Sequence, residues 1–155
     1  RFLRKETLQG FVHDEASAFF GGLAGNAGLF STARDVARVY QMLLNGGEID
    51  GQRYLSKETC QLFTTETSKI SRRGLGFDKP DADDPKKGNC APAAPAEVYG
   101  HTGFTGTCAW VDPMNELVYV FLSNRIYPDV TNRKLNQLHI RERIQGAIYD
   151  AMKKK

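Results

Sequence analysis

Val98-Tyr99-Gly100-His101-Thr102-Gly103-Phe104, Thr107-Cys108-Ala109-Trp110-Val111 and Leu117-Val118-Tyr119-Val120-Phe121-Leu122-Ser123 read as three consecutive strands. Between the second and third lies Asp112-Pro113-Met114-Asn115-Glu116. Pro pre-sets φ and Asn tolerates tight turns, so this connection predicts a β-hairpin. The third strand is apolar from Leu117 to Leu122. Apolar residues at successive positions expect cover on both faces of the sheet. Trp110, at strand spacing, is expected in the core.

Helical signals flank this block. Thr32 has the character of an N-cap, with Asp35 in a capping-box position. Val36, Val39, Tyr40, Leu43 and Leu44 then recur at helical spacing, and Gly46-Gly47 provides a stop. Ser56 caps a second, short helix through Phe63. Gly74-Leu75-Gly76-Phe77 reads as a short strand. After the hairpin, Thr131 or Asn132 caps a closing helix with Leu135, Leu138, Ile144, Ala147, Ile148 and Ala151 on or near one face. Lys153 to Lys155 suit its negative dipole end. The expected fold class is α+β: about three antiparallel strands with helices on one face or both.

Two segments carry little periodicity. Gly21-Gly22-Leu23-Ala24-Gly25-Asn26-Ala27-Gly28 is a turn-rich loop. No Gly-Lys-Ser/Thr follows it, so it is not a phosphate-binding Walker loop. Residues 78–97, rich in Pro, Asp, Lys and Ala, read as a long surface loop that buries little.

Composition narrows the function classes. The 155 residues suit one domain, 1–155, with 41% apolar and 25% charged residues. The formal charge of +3 is too small to argue for nucleic acid, and Lys153-Lys154-Lys155 reads as a solvated tail. No run approaches ~18 consecutive apolar residues, so no membrane span is expected. Arg1-Phe2-Leu3-Arg4-Lys5 lacks the apolar run of a signal peptide. The absence of an initial Met suggests a piece of something longer. Cys60, Cys90 and Cys108 are odd in number and widely spaced, which does not make a disulfide scaffold. With His13, His101 and His139 they show no zinc-ligand spacing, so neither metal nor cofactor is expected.

Ordered motifs carry a resemblance. Gly28-Leu29-Phe30-Ser31-Thr32-Ala33-Arg34-Asp35 opens the first helix and Met42-Leu43-Leu44-Asn45-Gly46-Gly47 closes it. His101-Thr102-Gly103 is followed by Thr105-Gly106, a Trp110-Val111-Asp112-Pro113 hairpin, and Leu122-Ser123-Asn124-Arg125 with Tyr127-Pro128 beyond. This set resembles the C-terminal part of serine β-lactamase and penicillin-binding-protein-like hydrolases, in the branch of class C β-lactamases, D-Ala-D-Ala carboxypeptidases and esterases. Val12-His13-Asp14-Glu15 is similar to domains of this kind fused behind family-3 glycoside hydrolases in bacterial envelope proteins. The resemblance implies a periplasmic or extracytoplasmic bacterial setting.

The resemblance also implies site residues. Such enzymes combine a Ser-x-x-Lys nucleophile and base, a Tyr-x-Asn-type motif, and a Lys-Thr-Gly or His-Thr-Gly motif on an edge strand. Here His101, Thr102 and Gly103 match the third motif. Thr105 is expected as a backbone oxyanion-hole donor. Asn124 and Arg125 match the segment that meets a substrate carboxylate; a capping Asn124 and a solvated Arg125 remain open. His101 also reads as a strand residue with a satisfied hydrogen bond. The 155 residues contain no Ser-x-x-Lys and no Tyr-x-Asn. Ser31-Thr32-Ala33-Arg34 ends in an arginine, too basic to act as the base, and Ser31 at a helix start reads as a capping residue. Tyr54-Leu55-Ser56 lies after the helix, where the second motif does not sit.

Two functions follow as expectations. The first is a fragment of a serine hydrolase that cleaves a small acyl or peptide substrate through an acyl-enzyme, inactive alone because the nucleophile-bearing N-terminal half is absent. The second is a non-catalytic β-lactamase-like binding or packing module attached to a glycosidase. Without its partner half, the strand at 117–122 is expected to pair with a second copy.

Overall fold

The computed structural model describes residues 4–65, 68–81, 83–84 and 88–154. The first three residues of the basic N-terminal stretch and Lys155 of the tail lie outside them. The chain divides into two compact units, Arg1–Thr32 and Ala33–Lys155.

In the first unit, α1 (Glu15–Phe19) is a short helix that the periodicity did not predict. Asp14 is its N-cap: its carboxylate accepts the Ser17 N–H at 2.7 Å and the Asn26 side-chain amide at 3.2 Å. Ser17 is fully buried and its hydroxyl donates to Asn26 Oδ1. Arg4 braces the same turn through its guanidinium on the His13 carbonyl at 2.8 Å.

The second unit runs α2 (Ala33–Leu44), β1 (Glu48–Ile49), β2 (Gln52–Arg53), α3 (Lys57–Thr64), β3 (Tyr99–Thr102), β4 (Cys108–Asp112), β5 (Leu117–Phe121), α4 (Lys134–Gln137) and α5 (Ile140–Met152). α2 begins one residue after Thr32 and ends as expected: Gly46 turns to φ +67°, and the Gly47 N–H closes on the Met42 carbonyl at 2.8 Å. Ser56 caps α3, accepting the Thr59 N–H at 3.1 Å. Between these helices the Asp50-Gly51 turn, with both residues at positive φ, joins β1 to β2.

The main sheet has the order β3-β4-β5, antiparallel throughout. Side-chain alternation along the strands gives it two different faces. Trp110, Tyr119, Cys108 and Phe121 lie on one, where they form the core cluster with Cys90 and Val98, and Ile148 of α5 packs on it. Tyr99 lies on the other, edge-on to Phe77, which in turn meets Tyr40 of α2. Helices therefore cover both faces. Cover over β5 is only partial: Tyr119 is buried while its neighbours in the strand are half-buried, and β5 is an edge of this sheet among the described residues.

Three expectations fail. Gly74 to Phe77 is a bend closed by the Gly74 N–H on the Phe77 carbonyl at 3.1 Å, and the extended pairing falls one residue later, at an Asp78↔Gly100 bridge. The closing helix is two helices, because His139 sits at φ +49° between α4 and α5. The face of α5 turned inward carries Arg141, Gln145 and Tyr149, whereas Leu138, Ile144, Ala147 and Ala151 are exposed. Hydrogen bonds set that rotation. Gln145 Oε1 accepts the Ala91 N–H at 2.8 Å, Arg141 donates to the Thr107 carbonyl at 3.2 Å, and the Tyr149 hydroxyl donates to Asp112 at 2.8 Å.

Residues 78–97 form no helix or strand where described, yet they bury more than expected. Asp78, Lys79, Cys90 and Ala91 are all buried. Asp78 is held by Arg72 at 2.8 and 3.1 Å and by Asn89 at 2.9 Å. A loop this polar reaches the interior because its ions and amides are paired there.

Candidate functional site

β3 presents the expected third motif at the rim of the sheet. Asp78 and Gly100 exchange both backbone hydrogen bonds, at 2.7 and 3.1 Å, on the side of β3 away from β4. In an antiparallel strand the backbone groups alternate sides. Thr102, two residues on, therefore also directs its N–H and C=O to the outer edge. His101, between them, points its ring to the face shared with Tyr99 and is exposed. Gly100 could not be another residue. A Cβ there would sit 2.1 Å from the Ala109 carbonyl and 2.7 Å from the Trp110 ring.

Both imidazole nitrogens of His101 are engaged. Nε2 lies 3.0 Å from Nη1 of Arg73, and Nδ1 lies 2.6 Å from the Thr102 carbonyl. Arg73 was not singled out from sequence; it stands 28 residues upstream in a bend without periodic signal. Its neighbour Arg72 turns the other way, onto Asp78.

Beyond Thr102 the chain makes a tight turn. The Gly103 N–H donates to the Thr107 carbonyl at 2.8 Å and the Gly106 N–H to the Gly103 carbonyl at 3.0 Å. This turn is locked to the segment after β5. The Arg125 N–H donates to the Thr105 carbonyl at 2.9 Å, and the Ser123 hydroxyl donates to the Gly106 carbonyl at 2.9 Å. The Arg125 guanidinium stacks 4.5 Å over the Phe104 ring and reaches the Val130 carbonyl at 3.3 Å. Thr105 and Arg125 are thus brought together, and Arg125 is anchored rather than solvated. Asn124 between Ser123 and Arg125 is exposed. A pocket of about 320 Å³ opens beside this segment, lined by Asn124, Arg125, Tyr127 and Lys134 with Leu135 and Leu138 beneath.

Ser31 is exposed, and its hydroxyl donates to the Thr32 carbonyl at 3.4 Å. The three cysteines are free and buried. Burial pushes the Cys90 thiol up to about 12 and the Cys108 thiol up to about 11. Thiols held protonated in this way are poor nucleophiles. Among the described residues no group of three His, Cys, Asp or Glu side chains is placed to hold a metal ion. No helix among them is long and apolar enough to cross a membrane.

Comparison with known proteins agrees with the motif order. A protein of Escherichia coli K12 named "Putative D-alanyl-D-alanine carboxypeptidase" is 36% identical over 135 residues, covering 86% of this chain and 31% of its own length. A protein of the same name from Salmonella typhi matches with the same identity and coverage. The chain thus spans about a third of the length of the curated relatives it matches. Among solved structures, a penicillin-binding protein homolog from Caulobacter crescentus is similar with a TM-score of 0.46 and 26% identity, over 57% of this chain and 24% of that one. The Beta-lactamase family profile matches residues 4–142, nearly the whole chain, and on that match the chain belongs to the β-lactamase family.

Proposed function

We propose that this chain forms one wall of a serine-hydrolase site that cleaves an amide or ester through an acyl-enzyme. The observation that carries the reading is the position of His101-Thr102-Gly103: an edge strand whose Thr102 backbone faces outward, next to a turn pinned by Arg125. An outward N–H and C=O let a substrate backbone pair along the strand. In this reading Thr102 lines the substrate, Gly103 gives it room, and the Thr105 N–H stabilises the oxyanion. Asn124 and Arg125 face the carboxylate-bearing end of the substrate. The names of the relatives favour a peptide ending in D-alanyl-D-alanine, with a β-lactam or simple ester as the alternative acyl donors.

The sequence holds no Ser-x-x-Lys. The nucleophile and its base are accordingly placed outside these 155 residues, and the chain is read as the C-terminal part of the domain, working outside the cytoplasm. Other strands of that domain would cover the open edge of β5. In the isolated chain a second copy would do so, through an antiparallel pairing of 117–122 that light scattering would detect.

The test uses the whole protein. His101→Ala should lower kcat for a p-nitrophenyl ester, nitrocefin or a D-alanyl-D-alanine peptide by roughly 10²–10³-fold, the scale of losing one preorganised electrostatic group, with little change in melting temperature. Unchanged kcat with a lowered melting temperature would make His101 structural and end this reading. The 155-residue chain alone should turn over none of these substrates; turnover abolished by Ser31→Ala would place the nucleophile within it.

A further inference from the structure

We propose that Arg73 is a positioning residue for His101: it fixes the imidazole as the neutral Nδ1–H tautomer and sets a permanent positive charge at the outer edge of β3. The proton inventory leads there. An arginine guanidinium donates only and does not lose its proton in a protein. At 3.0 Å from Arg73 Nη1, Nε2 of His101 must be the acceptor. A ring whose Nε2 lone pair is taken carries its proton on Nδ1. At 2.6 Å from the Thr102 carbonyl, that proton has an acceptor waiting. The two contacts demand the same tautomer.

The surroundings leave Arg73 available for this role. Arg72, the adjacent cation, is committed to Asp78, and among the described residues no carboxylate pairs with Arg73. Among the described residues the charge at the edge of β3 therefore has no salt-bridge partner. The same hydrogen bond has a second effect. The Thr102 carbonyl, which faces the outer edge, accepts from the strand's own histidine on one lone pair and keeps the second, with the Thr102 N–H, for a partner along the edge. His101 so held has a partner on each ring nitrogen. Its contribution to acyl transfer is then geometric and electrostatic, with Arg73 as the source of the charge. That last step rests on the hydrolase reading above; the tautomer assignment does not.

Nitrogen NMR on the protein labelled with 15N-histidine separates the two. The signals of His13, His101 and His139 are assigned with a His101→Gln variant. At pH 8 the wild-type His101 ring should show a protonated Nδ1 and an unprotonated Nε2. Arg73→Ala should convert it to the Nε2–H tautomer or a mixture, and Arg73→Lys, which keeps a cationic donor, should retain Nδ1–H. Arg73 is exposed, so these variants leave the core untouched. If the hydrolase reading also holds, Arg73→Ala lowers kcat about 10-fold, the effect of losing about 1.4 kcal/mol of transition-state stabilisation, with KM little changed, and Arg73→Lys recovers most of it. A wild-type ring protonated on Nε2, or a tautomer indifferent to Arg73→Ala, overturns the inference. An absence of hydrolysis with the tautomer as stated overturns the hydrolase reading alone.

Discussion

Replacing Asp78 by alanine removes the anchor that ties the 78–97 loop to the sheet. The side chain is 1% exposed. One carboxylate oxygen accepts Arg72 Nε at 2.8 Å and the Lys79 N–H at 3.1 Å; the other accepts Arg72 Nη2 at 3.1 Å and Asn89 Nδ2 at 2.9 Å. Alanine keeps the backbone bridge to Gly100 but strips all of these partners. Removing one member of a buried ion pair costs about 3–5 kcal/mol, because the other is left uncompensated. The Arg72 side chain is 31% exposed and can turn to water, which puts the expected loss near the lower end, about 3 kcal/mol. At this chain length 1 kcal/mol moves the melting temperature by about 2–4 °C, so Asp78→Ala should melt roughly 6–12 °C lower. Arg72→Ala and the double variant complete a cycle whose coupling should be about 1–3 kcal/mol.

The pH dependence supplies an independent sign. Burial raises the Asp78 carboxyl, but the hydrogen bonds and charge of Arg72, with Asn89 and the Lys79 N–H, outweigh it and hold the group below its ordinary 3.8. A carboxyl lower in the folded chain than in the unfolded one stabilises the fold fully above the unfolded value. That contribution is lost as pH falls through the folded value. The gap between the melting curves of wild type and Asp78→Ala should therefore be widest at pH 7 and narrow as pH falls below 3.8. Circular dichroism melts from pH 7 to pH 2 measure both effects. A variant melting within 2 °C of wild type at pH 7, or a gap that stays constant down to pH 2, would refute this account of the anchor.

Two further outcomes follow from the core and the turn. Cys60, Cys90 and Cys108 are buried, with burial raising all three thiols, so native protein at pH 8 should react slowly with a disulfide reagent and release its full thiol count only in denaturant; fast labelling of Cys108 in the native state would contradict the packing of β4. Gly100→Ala should cost about 3 kcal/mol or more in urea unfolding, since its Cβ meets rigid backbone and the Trp110 ring, whereas Gly103→Ala meets only the Thr107 hydroxyl at 2.2 Å, a rotatable group, and should cost under about 1 kcal/mol; equal costs would show that the turn after β3 is as tightly packed as the strand.

What the sequence disclosed and what it hid divide along physical lines. Hydrophobic period and turn chemistry located α2, α3 and all three strands of the main sheet, because each signal is local and repeats. The β1–β2 hairpin escaped notice although Asp50-Gly51 is a strong two-residue turn signal, since the strands it joins, Glu48–Ile49 and Gln52–Arg53, are two residues each and too short for an alternation to be read. A closing helix is present, but its break and its buried face escaped the sequence for the opposite reason. Its apolar residues repeat with helical spacing straight through His139, and a single residue at positive φ leaves no trace in that pattern. Once the chain turns there, Gln145 and Arg141 reach hydrogen-bond partners on Ala91 and Thr107, and their pairing outweighs exposing Ile144. Periodicity weighs apolar area and has no term for a buried amide that finds its partner.

The same limit governs the site. His101-Thr102-Gly103 could be picked out because the residues are contiguous and match a motif of the family the sequence resembles; the residue types alone left His101 readable as an ordinary strand histidine. Arg125 could be named but not explained. Whether it is solvated or anchored depends on the Phe104 ring and the Thr105 carbonyl, which reach it only after the hairpin folds back. Arg73 could not be named at all. It meets His101 because the bend at Gly74 to Phe77 and the Asp78↔Gly100 bridge swing its segment alongside β3. The bridge that places Arg73 beside the histidine is the one whose carboxylate is anchored by Arg72. The two adjacent arginines therefore take different partners, Arg72 the Asp78 carboxylate and Arg73 the His101 ring. A consequence can be measured: Asp78→Ala, which loosens the segment without touching either ring nitrogen of His101, should shift that ring from the Nδ1–H tautomer towards Nε2–H in the nitrogen spectrum. A spectrum unchanged in the variant would mean that the Asp78 carboxylate and its pairing with Arg72 do not set the place of Arg73 beside His101.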